Sequence, residues 1–255
     1  MLLARFLGLR KVIFGCAFGL GAIAVIGLQF NRYQKVAEAI DNPDHLQQEQ
    51  DTLAALKLRK MAPNFGFNNL IADLTYLEFI QYFGNKSARQ VTGYSLAPDY
   101  FQIIANQDPQ FTDAYLTLST ANSVYAGKPQ VTVYFMNQIL NADSFPTKNS
   151  HLMWTVKAID ESIFLGDLPA AKHSYEKAAD SVLQQDISSL NQQYDLDTLK
   201  SASIIRQKAE FLATKPNPTQ TQIFAWQSVL PNVVKESEKQ EIRDRIKSLE
   251  AKLAE

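Results

Sequence analysis

Two glycines, Gly127 and Gly166, stand 39 residues apart, each between two stretches of helical periodicity. A turn residue that recurs at this interval marks helical-hairpin repeats, because one hairpin can bury its apolar face only against the next. In the upstream unit, DPQFTDAYLTLSTANSVYAGKPQVTVYFMNQILNA, Asp108 reads as a helix N-cap with Pro109 in the first turn. That helix is expected to run to about Ala126, turn at Gly127-Lys128-Pro129 and return through Val133 to Leu140. The downstream unit repeats the plan, with a helix to Leu165, a turn at Gly166-Asp167 and a second helix from Leu168. A third pair is expected in DTLKSASIIRQKAEFLA and TQIFAWQSVLPNVV, broken at Pro216-Asn217-Pro218.

The N-terminus sets a second constraint. Arg5, Arg10 and Lys11 precede the uncharged run from Val12 to Asn31. About 20 apolar residues are what a helix needs to cross a hydrocarbon core of roughly 30 Å. A retained span is favoured over a cleaved signal at Ala22-Ile23-Ala24, because VIGLQF carries the apolar run beyond that site. A lipoprotein signal at Cys16 is rejected, since too few apolar residues separate Lys11 from it. The excess of basic residues before the span predicts a cytoplasmic N-terminus and a C-terminal domain on the lumenal or periplasmic side. Gly15 and Gly19 form a GxxxG spacing that would admit a partner helix in lipid.

FGFNNLIADLTYLEFIQYFG, from Phe65 to Gly84, is apolar over most of a helical circumference. Asp73 and Glu78 interrupt it too often for a span; a helix of this kind belongs in a core or at a membrane interface, and it reads as the entry helix of a packed domain. The tail from Lys235 carries six basic and six acidic residues around the stripe Ile242, Ile246, Leu249 and Leu253, and reads as a capping helix. The chain thus divides into a basic segment (1–11), a transmembrane helix (12–31), a helical stalk (32–64), an α-solenoid (65–233) and a charged cap (234–255).

A net charge of −1 argues against a nucleic-acid groove, and the single Cys16 excludes an intramolecular disulfide and a multi-cysteine zinc site. His45, His151 and His173 lack metal-ligand spacing, no phosphate-binding glycine loop or nucleophile elbow occurs, and Asp160-Glu161 reads as a solvated acidic pair. No catalytic residue, cofactor or metal is therefore expected. Tyr115, Tyr125, Tyr134, Phe135, Trp154, Phe164 and Tyr175 are read chiefly as hairpin packing. Tyr134, Asn137 and Gln138 are singled out as groove residues because they offer aromatic and amide groups together.

LGDLPAAKHSYEKAA resembles the turn and second helix of a tetratricopeptide repeat. Gly166 is followed by Ala171, Tyr175 and Ala178 at that family's spacings, with Trp154 and Ala158 near its large and small positions on the first helix. After Gly127 the matching positions are Thr132, Met136 and Ile139, a departure from the pattern. More loosely, the anchor followed by degenerate repeats resembles bacterial single-span repeat proteins, cyanobacterial ones among them. That resemblance implies an all-α, TPR-like solenoid that binds integral membrane-protein subunits as an assembly factor, photosystem II in the thylakoid membrane included, with lipid contacted through the anchor. Two other readings remain. One is an envelope accessory for polysaccharide or protein export; the other is a hydrolase that would bring Asp73, Glu78 or His151 into one pocket.

Overall fold

The computed structural model describes residues 26–27, 44–141, 149–188 and 196–254. Nearly all of the 12–31 run, Gly15 and Gly19 included, lies outside them. Among the described residues no helix is long and apolar enough to cross a membrane. They are all-helical, without a strand. The chain divides into a unit of residues 1–48 and a second of residues 49–255, and the second carries nearly all of the described helices.

The helices are α1 (His45–Met61, which begins in the first unit), α2 (Asn68–Gly84), α3 (Lys86–Thr92), α4 (Ala97–Gln107), α5 (Thr112–Thr120) and α6 (Pro129–Leu140). They continue as α7 (Ser150–Ile159), α8 (Leu168–Ser188), α9 (Leu196–Ala213), α10 (Thr219–Val229) and α11 (Glu236–Ala254). Helix α2 packs on α4, with α3 in their connection. The hairpins α5–α6 and α7–α8 then follow in the same register. Both first helices end in a widened π turn, Ala121–Tyr125 and Asp160–Leu165. Both turns close with the same wide hydrogen bond, Lys128 N–H to Asn122 C=O and Asp167 N–H to Glu161 C=O, each 2.8 Å. Gly127 at φ 66° and Gly166 at φ 69° occupy the left-handed region that reverses the chain, which a residue with a Cβ enters at a cost. The 39-residue interval is thus a backbone repeat as well as a sequence one.

The main core runs through these hairpins and includes Phe79, Phe101, Tyr115, Leu118, Met136 and Met153. Small residues at Ala114, Ala158, Ala171 and Ala178, each without exposure, let the helices approach, and aromatic rings fill the remaining gaps. Tyr115, Phe135, Trp154, Phe164 and Tyr175 are all buried, in keeping with a packing role.

Three local expectations are corrected. Asp108 does not open a helix: its Oδ1 accepts Gln110 N–H at 2.9 Å, its carbonyl is held by the Tyr115 hydroxyl, and α5 starts only at Thr112. The carboxylate finds a nearer amide, two residues on, before a helical turn can form. Helices α9 and α10 form on either side of Pro216-Asn217-Pro218, yet α9 packs chiefly on α8, and α10 on α11 and the Asp160–Leu165 turn. Finally, α2 is not buried over most of its circumference. It buries Ala72, Thr75, Phe79 and Tyr82, while Leu70, Leu74, Leu77 and Ile80 face solvent. The neighbour α4 covers one side only.

The C-terminal segment runs across the tips of the turns. A Cβ at Gly166 would meet Gln222 Nε2 at 2.6 Å, one at Gly127 would meet Val229 Cγ1 at 3.0 Å, and one at Gly93 would meet Val234 Cγ2 at 3.4 Å. Trp226 Nε1 and Gln222 Nε2 both donate to the Phe164 carbonyl at 3.2 Å, and Asn232 Nδ2 donates to the Val124 carbonyl at 3.1 Å. Around Trp226 and Phe164 a second core gathers Ile223, Val229, Ile242, Ile246 and Leu249.

Candidate functional site

Among the described residues a concavity of about 500 Å³ lies between the start of α8, the second half of α9 and the 214–218 turn. Its walls include Leu168, Tyr175, Ile204, Lys208, Phe211 and Pro216. The turn is built by local chemistry. Lys215 takes φ 54°, Thr214 Oγ1 donates to the Phe211 carbonyl, and Asn217 Oδ1 accepts Thr219 N–H at 3.0 Å. Two prolines flank that asparagine and hold the turn open beside α9.

Helix α9 carries two apolar stripes. Ala202, Ile205, Ala209 and Leu212 face inward, while Ile204 and Phe211 remain 56% and 61% exposed. Between those two, Lys208 Nζ sits 5.7 Å from the centre of the Tyr175 ring. Burial pushes the Tyr175 hydroxyl above its ordinary pKa, so it stays protonated. Apolar walls, the amides of Gln207 and Asn217 and one ammonium group make a site suited to an apolar, extended peptide segment with an acidic group. Sequence reasoning missed it. The available signal was the outward spacing of Ile204, Lys208 and Phe211, four and then three residues apart along α9.

The groove residues named from sequence do lie together. Tyr134, Asn137 and Gln138 are exposed on one side of α6, and Gln138 Nε2 donates to the Tyr134 hydroxyl at 2.9 Å. None of the three lines the α8–α9 pocket. Nor does the pocket gather the groups considered for hydrolysis. Asp73 is exposed on α2, Glu78 accepts two hydrogen bonds from Arg59 at 2.6 and 3.0 Å, and His151 lies in the first turn of α7. None of these lines the pocket either. Among the described residues no group of three or more His, Cys, Asp or Glu is placed to hold a metal ion.

The acidic pair at 160 and 161 corrects the reading of it as solvated, for both side chains are buried. Ser123 Oγ donates to Asp160 Oδ2 at 2.6 Å and shares a 2.9 Å hydrogen bond with Thr132 Oγ1. Lys157 Nζ donates to Glu161 Oε1 at 2.6 Å and to Ser174 Oγ at 2.8 Å, and Ser174 Oγ donates to Glu161 Oε2 at 2.6 Å. Burial pushes the Asp160 carboxyl up to about 7, and the neighbouring Glu161 adds to the rise. Each acid has its own partners, so adjacent residues in the π turn serve two different hairpin contacts. Asp160 ties its hairpin to the preceding one, while Glu161 ties α7 to α8 within its own.

No protein-family model matches the chain, and neither a curated protein nor a solved structure does. The class defined by the fold is an all-helical protein of in-register hairpins with a C-terminal segment laid across the turns.

Proposed function

We propose that this chain is a non-catalytic, membrane-anchored scaffold of tetratricopeptide type that holds a subunit of a membrane complex during assembly. The observation that carries this reading is the α8–α9 pocket, an apolar slot with an ammonium group beside the hairpin that most resembles the family. Extended peptide segments of a partner supply the matching chemistry, an apolar side chain for Phe211 and Ile204 and a carboxylate for Lys208. The uncharged run at 12–31 supports a tether that places the pocket on the lumenal or periplasmic side. A tether raises the effective concentration of membrane partners, so a modest pocket is enough for capture. The resemblance of anchor plus degenerate repeats favours a photosynthetic membrane and photosystem II subunits as the cargo.

The test is affinity isolation of the full chain in mild detergent, followed by mass spectrometry and an absorption spectrum. Chlorophyll-protein subunits that co-purify with the native chain, and are lost from Lys208→Glu and Phe211→Ala, support the reading. A colourless eluate with export components replaces it with the envelope function. Unaltered capture by both variants removes the pocket from the mechanism.

A further inference from the structure

We propose that the Asp160–Leu165 turn links the joint between the hairpins to the α8–α9 pocket, and so makes the pocket tighten in acid and loosen in base. Five consecutive residues of this turn serve four different contacts. Asp160 Oδ2 accepts from the Ser123 hydroxyl of the preceding hairpin at 2.6 Å, and Glu161 accepts from Lys157 and Ser174 of its own. Ser162 and Ile163 line the pocket, and the Phe164 carbonyl accepts from Trp226 Nε1 and Gln222 Nε2. The wall on α8 is tied to the same cluster, because Tyr175 lines the pocket and follows Ser174. Successive Cα atoms stand about 3.8 Å apart, so a shift at Asp160 reaches the pocket wall within two or three peptide links. The turn is closed by one wide hydrogen bond, Asp167 N–H to the Glu161 carbonyl, and Ala171 N–H at the start of α8 bonds in turn to the Asp167 carbonyl. Joint and pocket therefore bias one element that can be closed or open.

The joint has little with which to hold a charge on Asp160. Among the described residues its one side-chain donor is the Ser123 hydroxyl, which is shared with Thr132. Helices α6 and α10 and the 121–125 turn carry no acidic or basic residue. On α7, Lys157 is committed to Glu161 and Ser174, and His151 lies about two and a half turns away. On α8, Lys172 pairs with Glu176, Lys177 is exposed and His173 stands edge-on to Trp154. The adjacent charge is that of Glu161, of the same sign. Burial, with that neighbour adding to it, holds the Asp160 carboxyl up to about 7. Opening the turn to water returns the carboxyl to its ordinary value of 3.8. Opening is therefore favoured about tenfold for each pH unit between those two values and levels off above the higher one. Here the inference rests on the reading of the pocket as the cargo site: capture is tighter in acid, and cargo is released as the pH rises to neutrality. By reciprocity, bound cargo strengthens the hold of Asp160 on its proton.

The experiment follows amide hydrogen exchange of the full chain in mild detergent from about pH 5 to about pH 8, with rates corrected for intrinsic chemistry. In the native chain the turn at 160–167 and the pocket side of α8 at 168–175 should exchange about tenfold faster per pH unit until near 7, then level. Asp160→Asn should abolish this dependence. Ser123→Ala, which takes the donor from the carboxylate, should move the levelling point to higher pH. A dependence that persists in Asp160→Asn, or a levelling point unmoved in Ser123→Ala, overturns the proposal. So does exchange in both segments no faster than global unfolding permits in the same buffers, since the domain would then open as a whole. A response at 160–167 that is absent at 168–175 overturns the link to the pocket. Affinity isolation at about pH 6 and about pH 8 separates the switch from the reading beneath it. Capture that needs Lys208, is at least about fivefold greater at the lower pH and loses that preference in Asp160→Asn supports both. Capture that needs Lys208 but ignores pH keeps the cargo pocket and overturns the switch. The full exchange response with capture indifferent to Lys208→Glu keeps the switch in the turn and overturns the cargo pocket.

Discussion

Ser123 and Asp160, 37 residues apart, meet at 2.6 Å in the interior and join one hairpin to the next through a hydroxyl–carboxylate hydrogen bond. Burial penalises the charged carboxylate even with that donor in place, so Asp160 titrates near 7 instead of near 3.8. The folded state then binds a proton that the unfolded state has already released. Its stabilising share is complete below the unfolded value and is lost as pH rises through the folded one. Asp160→Asn keeps the acceptor for Ser123 and removes the titration. Its melting temperature should gain on the native protein as pH rises from 4 to 8, by the equivalent of up to about 4 kcal/mol. Parallel melting curves at every pH would remove this account.

The Lys157–Glu161–Ser174 cluster predicts an asymmetric response to mutation. Lys157→Ala leaves a buried carboxylate with one hydroxyl donor and should cost about 3–5 kcal/mol in a denaturant titration. The double change Lys157→Met with Glu161→Leu removes both charges and should recover most of that loss. A double variant as unstable as the single one would show that the pair adds net stability beyond its own desolvation.

Gly166 faces two separable demands, a left-handed backbone and a close side-chain neighbour. Gly166→Ala should cost roughly 2–3 kcal/mol, about 1 of it from the backbone alone. Adding Gln222→Ala should return part of the loss, since it clears the 2.6 Å approach while Trp226 still donates to the Phe164 carbonyl. If the two changes simply add, Gln222 does not set the constraint.

Trp226→Ala should be among the most damaging single changes, at about 3–5 kcal/mol. It empties the centre of the second core and deletes a hydrogen bond across 62 residues. Phe211→Ala, on an exposed side chain, should shift stability by no more than about 0.5 kcal/mol, measured by the same thermal melts.

Much of the helical framework was legible in the sequence, because helix periodicity and turn glycines are local signals. Gly127, Gly166 and the Pro216–Pro218 break carry their conformational preference wherever the chain goes. What local pattern could not show was which apolar face would find cover. Phe79 and Leu77 look alike in sequence, yet α4 packs over one side of α2 and, among the described residues, Leu77 stays exposed. The same gap hid Asp160 and Glu161, whose charge argues for solvent until Ser123, Lys157 and Ser174 are known to surround them. It also hid the pocket, because which element stands opposite Ile204 and Phe211 is decided only when α8 and α9 pack. Pairing across 37 to 62 residues is decided by the whole fold.

The C-terminal segment that touches Gly166 through Gln222, Gly127 through Val229 and Gly93 through Val234 acts as a ruler. An open solenoid can gain or lose a hairpin and keep its neighbours. Here an inserted hairpin would put each turn tip out of step with its mate on that segment. The number of hairpins is therefore written twice in the chain, once in the repeats and once in the segment that measures them. Changes in length would have to arise in both places together.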